Sequence, residues 1–159
     1  DYSNIMSLIR SYDIIADGTD NFETRFLIND ACFFSSKTLV SGAAQRFDGQ
    51  ILTFPFSKKI KRPCYRCIYP ELPPPDISVN CSQSGVLGSV VGSIGAMQAT
   101  EILKQLLNLE KNLSGYLLVV DMLNYEFRRI RVKEDPNCKL CSSKFSLKDL
   151  SHHKADHNI

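Results

Sequence analysis

The sequence has no tryptophan, no initiator methionine and no stretch long and apolar enough to span a bilayer. Nothing in it resembles a secretion signal. Its charges nearly cancel, leaving a net +2 at pH 7, so neither nucleic acid nor an acidic membrane surface is expected as a partner. A G-x-G-x-x-G loop is missing too. The glycines between Gly85 and Gly92 have a different spacing and follow no strand, which argues against a phosphate loop there. Because the chain opens at Asp1, it is expected to begin inside a longer protein. The rest is ordinary for one domain with a sizeable core: 159 residues, 43% hydrophobic and 23% charged.

Cysteine is the residue the chain uses pointedly. Four of its six cysteines form two pairs, Cys64-Tyr65-Arg66-Cys67 and Cys138-Lys139-Leu140-Cys141. This spacing lets a tight turn aim both sulfurs at one tetrahedral ion, and two such knuckles complete a four-thiolate zinc site. Redox pairs and ordinary buried thiols are the competing readings, but the repetition favours zinc. A closed four-Cys site has no open position, so its expected role is structural. The knuckles lie too far apart for a zinc finger, so the ion should pin distant parts of a larger fold. Paired thiols without a secretion signal fit a reducing cytoplasm.

In chain order, Ser3 is placed to cap a short helix carrying Ile5, Leu8 and Ile9. Tyr12 to Asp17 predicts a buried strand ending in a turn at Gly18. Asn21 to Phe34 predicts a helix, and Lys37 to Ser41 a second short strand. Helix, strand, helix, strand is the order of a parallel α/β sheet. From Gln45 to Phe54, extended runs around Asp48-Gly49 suggest a hairpin. Lys58 to Arg62 is expected to be a basic surface loop, and Pro70 to Asp76 an exposed linker with Cys81 beyond it. Val86 to Leu107 predicts one long helix. Its Gly88, Gly92 and Ala96 form a smooth stripe for another backbone, and Glu101, Lys104 and Gln105 make its second half amphipathic. Leu117 to Asp121 and Glu126 to Val132 predict two further strands, the second with one wet face. Residues 143–159 read as a polar, flexible tail, and its His152, His153 and His157 suggest a frayed end more than a metal site.

The turn Asp17-Gly18-Thr19-Asp20-Asn21 falls at the carboxyl end of a strand and the start of a helix, where open α/β sheets bind ligands. A helix N-terminus favours phosphate, and a carboxylate beside it can hold Mg²⁺. Equally, Asp20 can cap the helix, with Glu23 completing a capping box. Both roles are compatible.

That turn, with Arg25 four residues past Asn21, resembles the family of ThiF, MoeB and HesA, relatives of the ubiquitin-activating enzymes. So do Val40-Ser41-Gly42-Ala43-Ala44, Phe47-Asp48-Gly49-Gln50, Pro63-Cys64-Tyr65-Arg66-Cys67, Gly85-Val86-Leu87-Gly88, Gln98-Ala99-Thr100-Glu101 and the closing Cys138-x-x-Cys141. The likeness runs over about residues 8 to 142 and rests on several motifs in the same order. It implies that residues 1–142 are the C-terminal part of a Rossmann-like adenylating domain, with parallel strands followed by antiparallel ones. The family's glycine-rich loop and phosphate-gripping residues should precede Asp1.

The resemblance also implies a chemistry. Such enzymes use Mg-ATP to convert the C-terminal glycine of a ubiquitin-like sulfur-carrier protein into an acyl-adenylate, for thiocarboxylate formation in thiamin or molybdopterin synthesis. Asp20, Asn21 and Thr19 would then bind the nucleotide and Mg²⁺. Arg25 would reach phosphate or the partner, or form an ordinary surface salt bridge. Cys81 matches a position where many members carry a catalytic or persulfide-forming cysteine, although a spectator thiol is the alternative. The expected assembly is a homodimer. A non-catalytic zinc-clamped module that binds a ubiquitin-like protein or mediates dimerisation is the competing function. The isolated chain is expected to be inactive in pyrophosphate exchange.

Overall fold

Apolar side chains alternate along the two central strands, and this alternation sets the layers of the domain. The computed structural model describes residues 1–56, 62–74 and 85–157. Its order is α1 (Ile5–Arg10), β1 (Ile14–Asp17), α2 (Phe22–Ser35), β2 (Thr38–Gln45), β3 (Asp48–Pro55), the single turn α3 (Tyr65–Ile68), α4 (Gly88–Leu106), β4 (Tyr116–Asp121), β5 (Glu126–Arg131) and a 3₁₀ turn over Ser151–His157. The strands form one sheet in the order β1-β2-β3-β4-β5. β1 and β2 are parallel, and every later pairing is antiparallel. Parallel strands followed by antiparallel ones were expected, and that is the mixed sheet found.

Successive strand residues point to opposite faces. Leu39, Leu52 and Phe54 join a core with Ile5, Ile9, Phe26, Ala31 and Tyr65, contributed by α1, α2 and α3. Val40, Ile51 and Val120 face the other way, onto Val90 and Ile94 of α4. Helices therefore cover both faces of the sheet centre. Within the first core Phe26 meets Tyr65 edge-on at 5.4 Å, an arrangement adding about 1 kcal/mol beyond burial.

Several local expectations change. Asn4, not Ser3, is the residue before α1, and no side-chain cap bond forms there. β2 runs to Gln45 because its second half pairs with β3, from Ser41 opposite Leu52 to Gln45 opposite Asp48. The hairpin turns at Arg46 and Phe47, with Arg46 in the left-handed region at φ 53°, and Asp48-Gly49 opens β3 instead. Gly49 is needed for another reason: a Cβ there would lie 2.2 Å from Cδ1 of Ile94. Cross-sheet packing, not turn chemistry, selects this glycine.

In α4, Glu101 belongs to the interior and not to a wet face. It is 2% exposed, and its Oε1 accepts from Thr53 Oγ1 at 3.1 Å, Gln105 Nε2 at 2.8 Å and the Leu113 N–H at 2.9 Å. The Gly88 and Gly92 stripe meets nothing within 4 Å among the described residues. β5 leaves both faces open, with Phe127 and Ile130 exposed, where one dry face was expected. The segment expected to fray folds back instead: Leu150 and His153 are buried. Cys81, Pro75, Asp76 and most of the Lys58 to Arg62 loop lie outside the described residues.

Candidate strand-end pocket and metal centre

β1 delivers Asp17 to the carboxyl end of the sheet, where its carboxylate is buried. Oδ1 accepts from the Thr19 N–H at 2.9 Å and the Thr19 hydroxyl at 2.7 Å, folding the chain back over Gly18. Oδ2 accepts from Ser41 Oγ at 2.8 Å and Arg25 Nη1 at 3.3 Å. Arg25 also donates to Ser41 Oγ at 2.9 Å, to the Gly42 carbonyl at 3.0 Å and to the Thr19 carbonyl. It is buried. A surface salt bridge is therefore replaced by a guanidinium that ties β1, β2 and the turn together, and its fork geometry suits that task.

The helix cap is Asn21. Its Oδ1 accepts from the Thr24 N–H at 2.8 Å, which overturns the assignment of the cap to Asp20. Thr19 and Asn21 thus spend side-chain atoms on shaping the loop. Asp20 does not: its carboxylate is exposed and, among the described residues, bonds only Asn21 Nδ2, at 3.5 Å. It stands on the wall of a cavity of about 630 Å³ that also meets Gly18, Arg25, Gly42, Gln50 and Gln98. From α4, Gln98 Nε2 donates to the carbonyls of Asp17 and Val40, both at 2.9 Å. A Cβ on Gly42 would come within 3.0 Å of the Gln98 side chain. The cross-element work of Asp17, Ser41 and Gln98 had no local spacing signal, because the partners that tie one element to another lie 8 to 81 residues away.

The four paired thiols meet at α3, which Cys64 precedes and Cys67 belongs to. Cys64 Sγ lies 4.0 Å from Cys67 Sγ and 3.5 Å from Cys138 Sγ, and Cys67 Sγ lies 3.3 Å from Cys141 Sγ. Zinc bonded to four sulfurs at about 2.3 Å would space them by about 3.8 Å. None of the four is in a disulfide, and all four sulfurs lie within 4.8 Å of one another. The donor set fits zinc, which Cys64, Cys67, Cys138 and Cys141 would hold as a closed site. Contacts with Cys138, Cys141 and Cys67 push Cys64 up, whereas contacts with Cys141, Cys64 and Cys67 pull Cys138 down. The remaining described thiol, Cys32, is buried; burial, then the Asp17 charge, raises its pKa to about 12.

Arg66, between the first pair of thiols, reaches into α2. Its Nε donates to Asp30 Oδ1 at 2.9 Å and its Nη2 to Oδ2 at 2.6 Å. Asn29 beside it accepts the Tyr65 N–H at 3.0 Å. Burial alone would raise the pKa of Asp30. Bonds from His152, His153 and Arg66, with the Arg66 charge, outweigh burial and hold it well below the usual carboxylate range. No sequence pattern pointed to this cluster.

A mixed α/β domain with a strand-end cavity and a four-thiol centre is the class these features define. The chain belongs to the ThiF family, whose model matches residues 1–140. It is 46% identical over 148 residues to the adenylyltransferase and sulfurtransferase MOCS3 of Drosophila persimilis, covering 92% of this chain and 32% of that protein. The Drosophila virilis MOCS3 is 46% identical over 142 residues, 89% of this chain and 31% of the relative. The chain thus spans about a third of the length of these curated relatives. Among solved structures, E. coli MccB superimposes with a TM-score of 0.68 at 14% identity, over 91% of this chain and 43% of MccB. The E. coli MccB complex with ATP gives 0.70 at 13% identity, over 89% and 43%. The fold is shared with these proteins.

Proposed function

We propose that this chain is part of an enzyme that adenylates the C-terminal glycine of a ubiquitin-like sulfur-carrier protein. Residues 1–142 would form the C-terminal part of the adenylating domain, and residues 143–159 a polar extension. The carrying observation is Asp20, an exposed carboxylate beside a helix N-terminus on the wall of a cavity of about 630 Å³. The relatives are named for both adenylyl and sulfur transfer, which supports a sulfur carrier as substrate and a place in molybdopterin or thiamin synthesis.

In this reading a carboxylate oxygen of the glycine attacks the α-phosphate of ATP, and pyrophosphate leaves. Asp20 would hold Mg²⁺, which offsets the charge gathering on the phosphates. Arg25 positions the loop from beneath, through Thr19 and Asp17, and Gln98 fixes the ends of β1 and β2. Cys81, as a thiolate, would attack the acyl-adenylate and release AMP. Exposed apolar side chains on α4, among them Val91, Leu103 and Leu106, support homodimerisation. No helix among the described residues is long and apolar enough to cross a membrane, and a cytoplasmic site of action fits the thiol-rich centre.

The test is ATP–pyrophosphate exchange by the full-length protein with its carrier. Asp20→Ala should lower exchange by about 100-fold or more. Unchanged exchange would favour the non-catalytic, zinc-clamped binding module. The chain of 159 residues alone should give no exchange, and robust exchange by it would overturn that part of the reading.

A further inference from the structure

One other group of side chains converges as ligands do. Nε2 of His152 and Nε2 of His153 each lie 2.9 Å from Asp30 Oδ2, and the three ligand atoms all fall within 4.8 Å of one another. The histidines come from the 3₁₀ turn, 122 and 123 residues beyond Asp30. Asp30 is fully buried and His153 nearly so. His152, 28% exposed at its side chain, opens on a cavity of about 240 Å³ that Glu23, Glu71 and Lys139 also line.

Hydrogen bonding alone crowds one oxygen of this cluster. Oδ2 already accepts from Arg66 Nη2 at 2.6 Å, and both rings would have to place an Nε2 proton on the same oxygen. His152 Nε2 also lies 3.3 Å from Arg66 Nη2, a group that can only donate. One ring nitrogen cannot donate to the carboxylate and accept from the guanidinium together. If each ring carries its proton at Nδ1, the crowding at Oδ2 is relieved and two lone pairs face a common point beside that oxygen. Tetrahedral bonds of about 2.0–2.1 Å would space the ligand atoms by about 3.3 Å, so the 2.9 Å edges need open by only about 0.4 Å around an ion.

The geometry points to a second metal site, in which Asp30, His152 and His153 hold a divalent ion of the zinc class. Two imidazoles and one carboxylate suit such an ion, and its fourth position would open on the cavity. Arg66 becomes the outer partner: it bonds Oδ1 at 2.9 Å and Oδ2 at 2.6 Å and fixes the carboxylate's orientation. Glu23 lines the same cavity, while Glu71 and Lys139 pair with each other at 2.7 Å. The ion would join the end of the described chain to α2, just as the four-thiol site joins the two knuckles.

The test counts metal on the full-length protein, stripped with a chelator and titrated with Zn²⁺ against a chromophoric competitor. The wild type should bind about one ion more per chain than the His152→Ala/His153→Ala variant. His152→Gln, at a half-exposed position that should spare the fold, should weaken that extra ion at least about tenfold. With Co²⁺, the His-dependent ion should add no sulfur charge-transfer absorbance. Equal stoichiometry in wild type and double variant overturns the site, and so does an extra ion that keeps its affinity in His152→Gln. These readouts need no nucleotide and are independent of the adenylation reading.

Discussion

Two aspartates ten positions apart in the sequence show how the same carboxylate is given different work. Asp20 precedes the first turn of α2, open to a cavity and bonded, among the described residues, only to its neighbour Asn21. Asp30 lies within the same helix, fully buried, and receives Arg66, Asn29, His152 and His153. The first has spare coordination capacity and little structural duty. The second has structural duty throughout. Exposure and partners, not residue type, decide which carboxylate is available for chemistry and which holds the fold.

The contrast can be broken from either side, and the largest effect is expected at the thiols flanking Arg66. Removing the ion by chelation, or Cys64→Ser, should destabilise the domain by about 5 kcal/mol or more, read as a fall in melting temperature together with zinc loss. A chelator-treated protein that contains no metal and melts unchanged would refute the zinc centre. Asp30→Asn should cost about 3 kcal/mol in denaturant unfolding, because it strands the buried Arg66 guanidinium. Asp20→Ala should behave oppositely: its unfolding free energy should stay within about 0.5 kcal/mol of wild type while pyrophosphate exchange collapses. If Asp20→Ala melts as early as Asp30→Asn, the two carboxylates are not divided as described.

The effect that is small per pH unit concerns Cys32, on the same helix. Its folded pKa is raised to about 12, against about 8.5 for an unfolded thiol. The stability it contributes is complete below pH 8.5 and is lost as pH rises toward 12, because only the unfolded state then releases the proton. Above pH 9 the wild type should lose about 1.4 kcal/mol per pH unit more than Cys32→Ala. Equal slopes in alkaline unfolding would show that the thiol is not so enclosed. Native protein at pH 8 should also leave Cys32 unlabelled by iodoacetamide.

Features governed by neighbours a few residues apart were legible beforehand. The strand at Ile14 to Asp17, the helices α2 and α4, and the thiol spacing of Cys64-x-x-Cys67 and Cys138-x-x-Cys141 were all expected nearly as found. Legibility failed where a distant element intervened. Asp48-Gly49 has the composition of a turn, yet Ile94 of α4 claims the space over Gly49. Glu101 has the look of a solvent residue, yet Thr53 and Leu113 draw it inward. Asn21 displaced Asp20 from the cap, a choice between adjacent residues that spacing does not resolve.

The sequence by itself determined the class of chain: an α/β alternation, two thiol knuckles and an acidic turn at a strand end, because a turn or a helix is specified by side chains within a few positions of one another. Tertiary structure alone decided that Arg25 lies beneath the turn and not on the surface. It also decided that Asp20 stands exposed on the cavity wall, and that His152 and His153 return across 122 and 123 residues to Asp30. Such meetings follow from burial and shape over the whole domain, which no local pattern encodes.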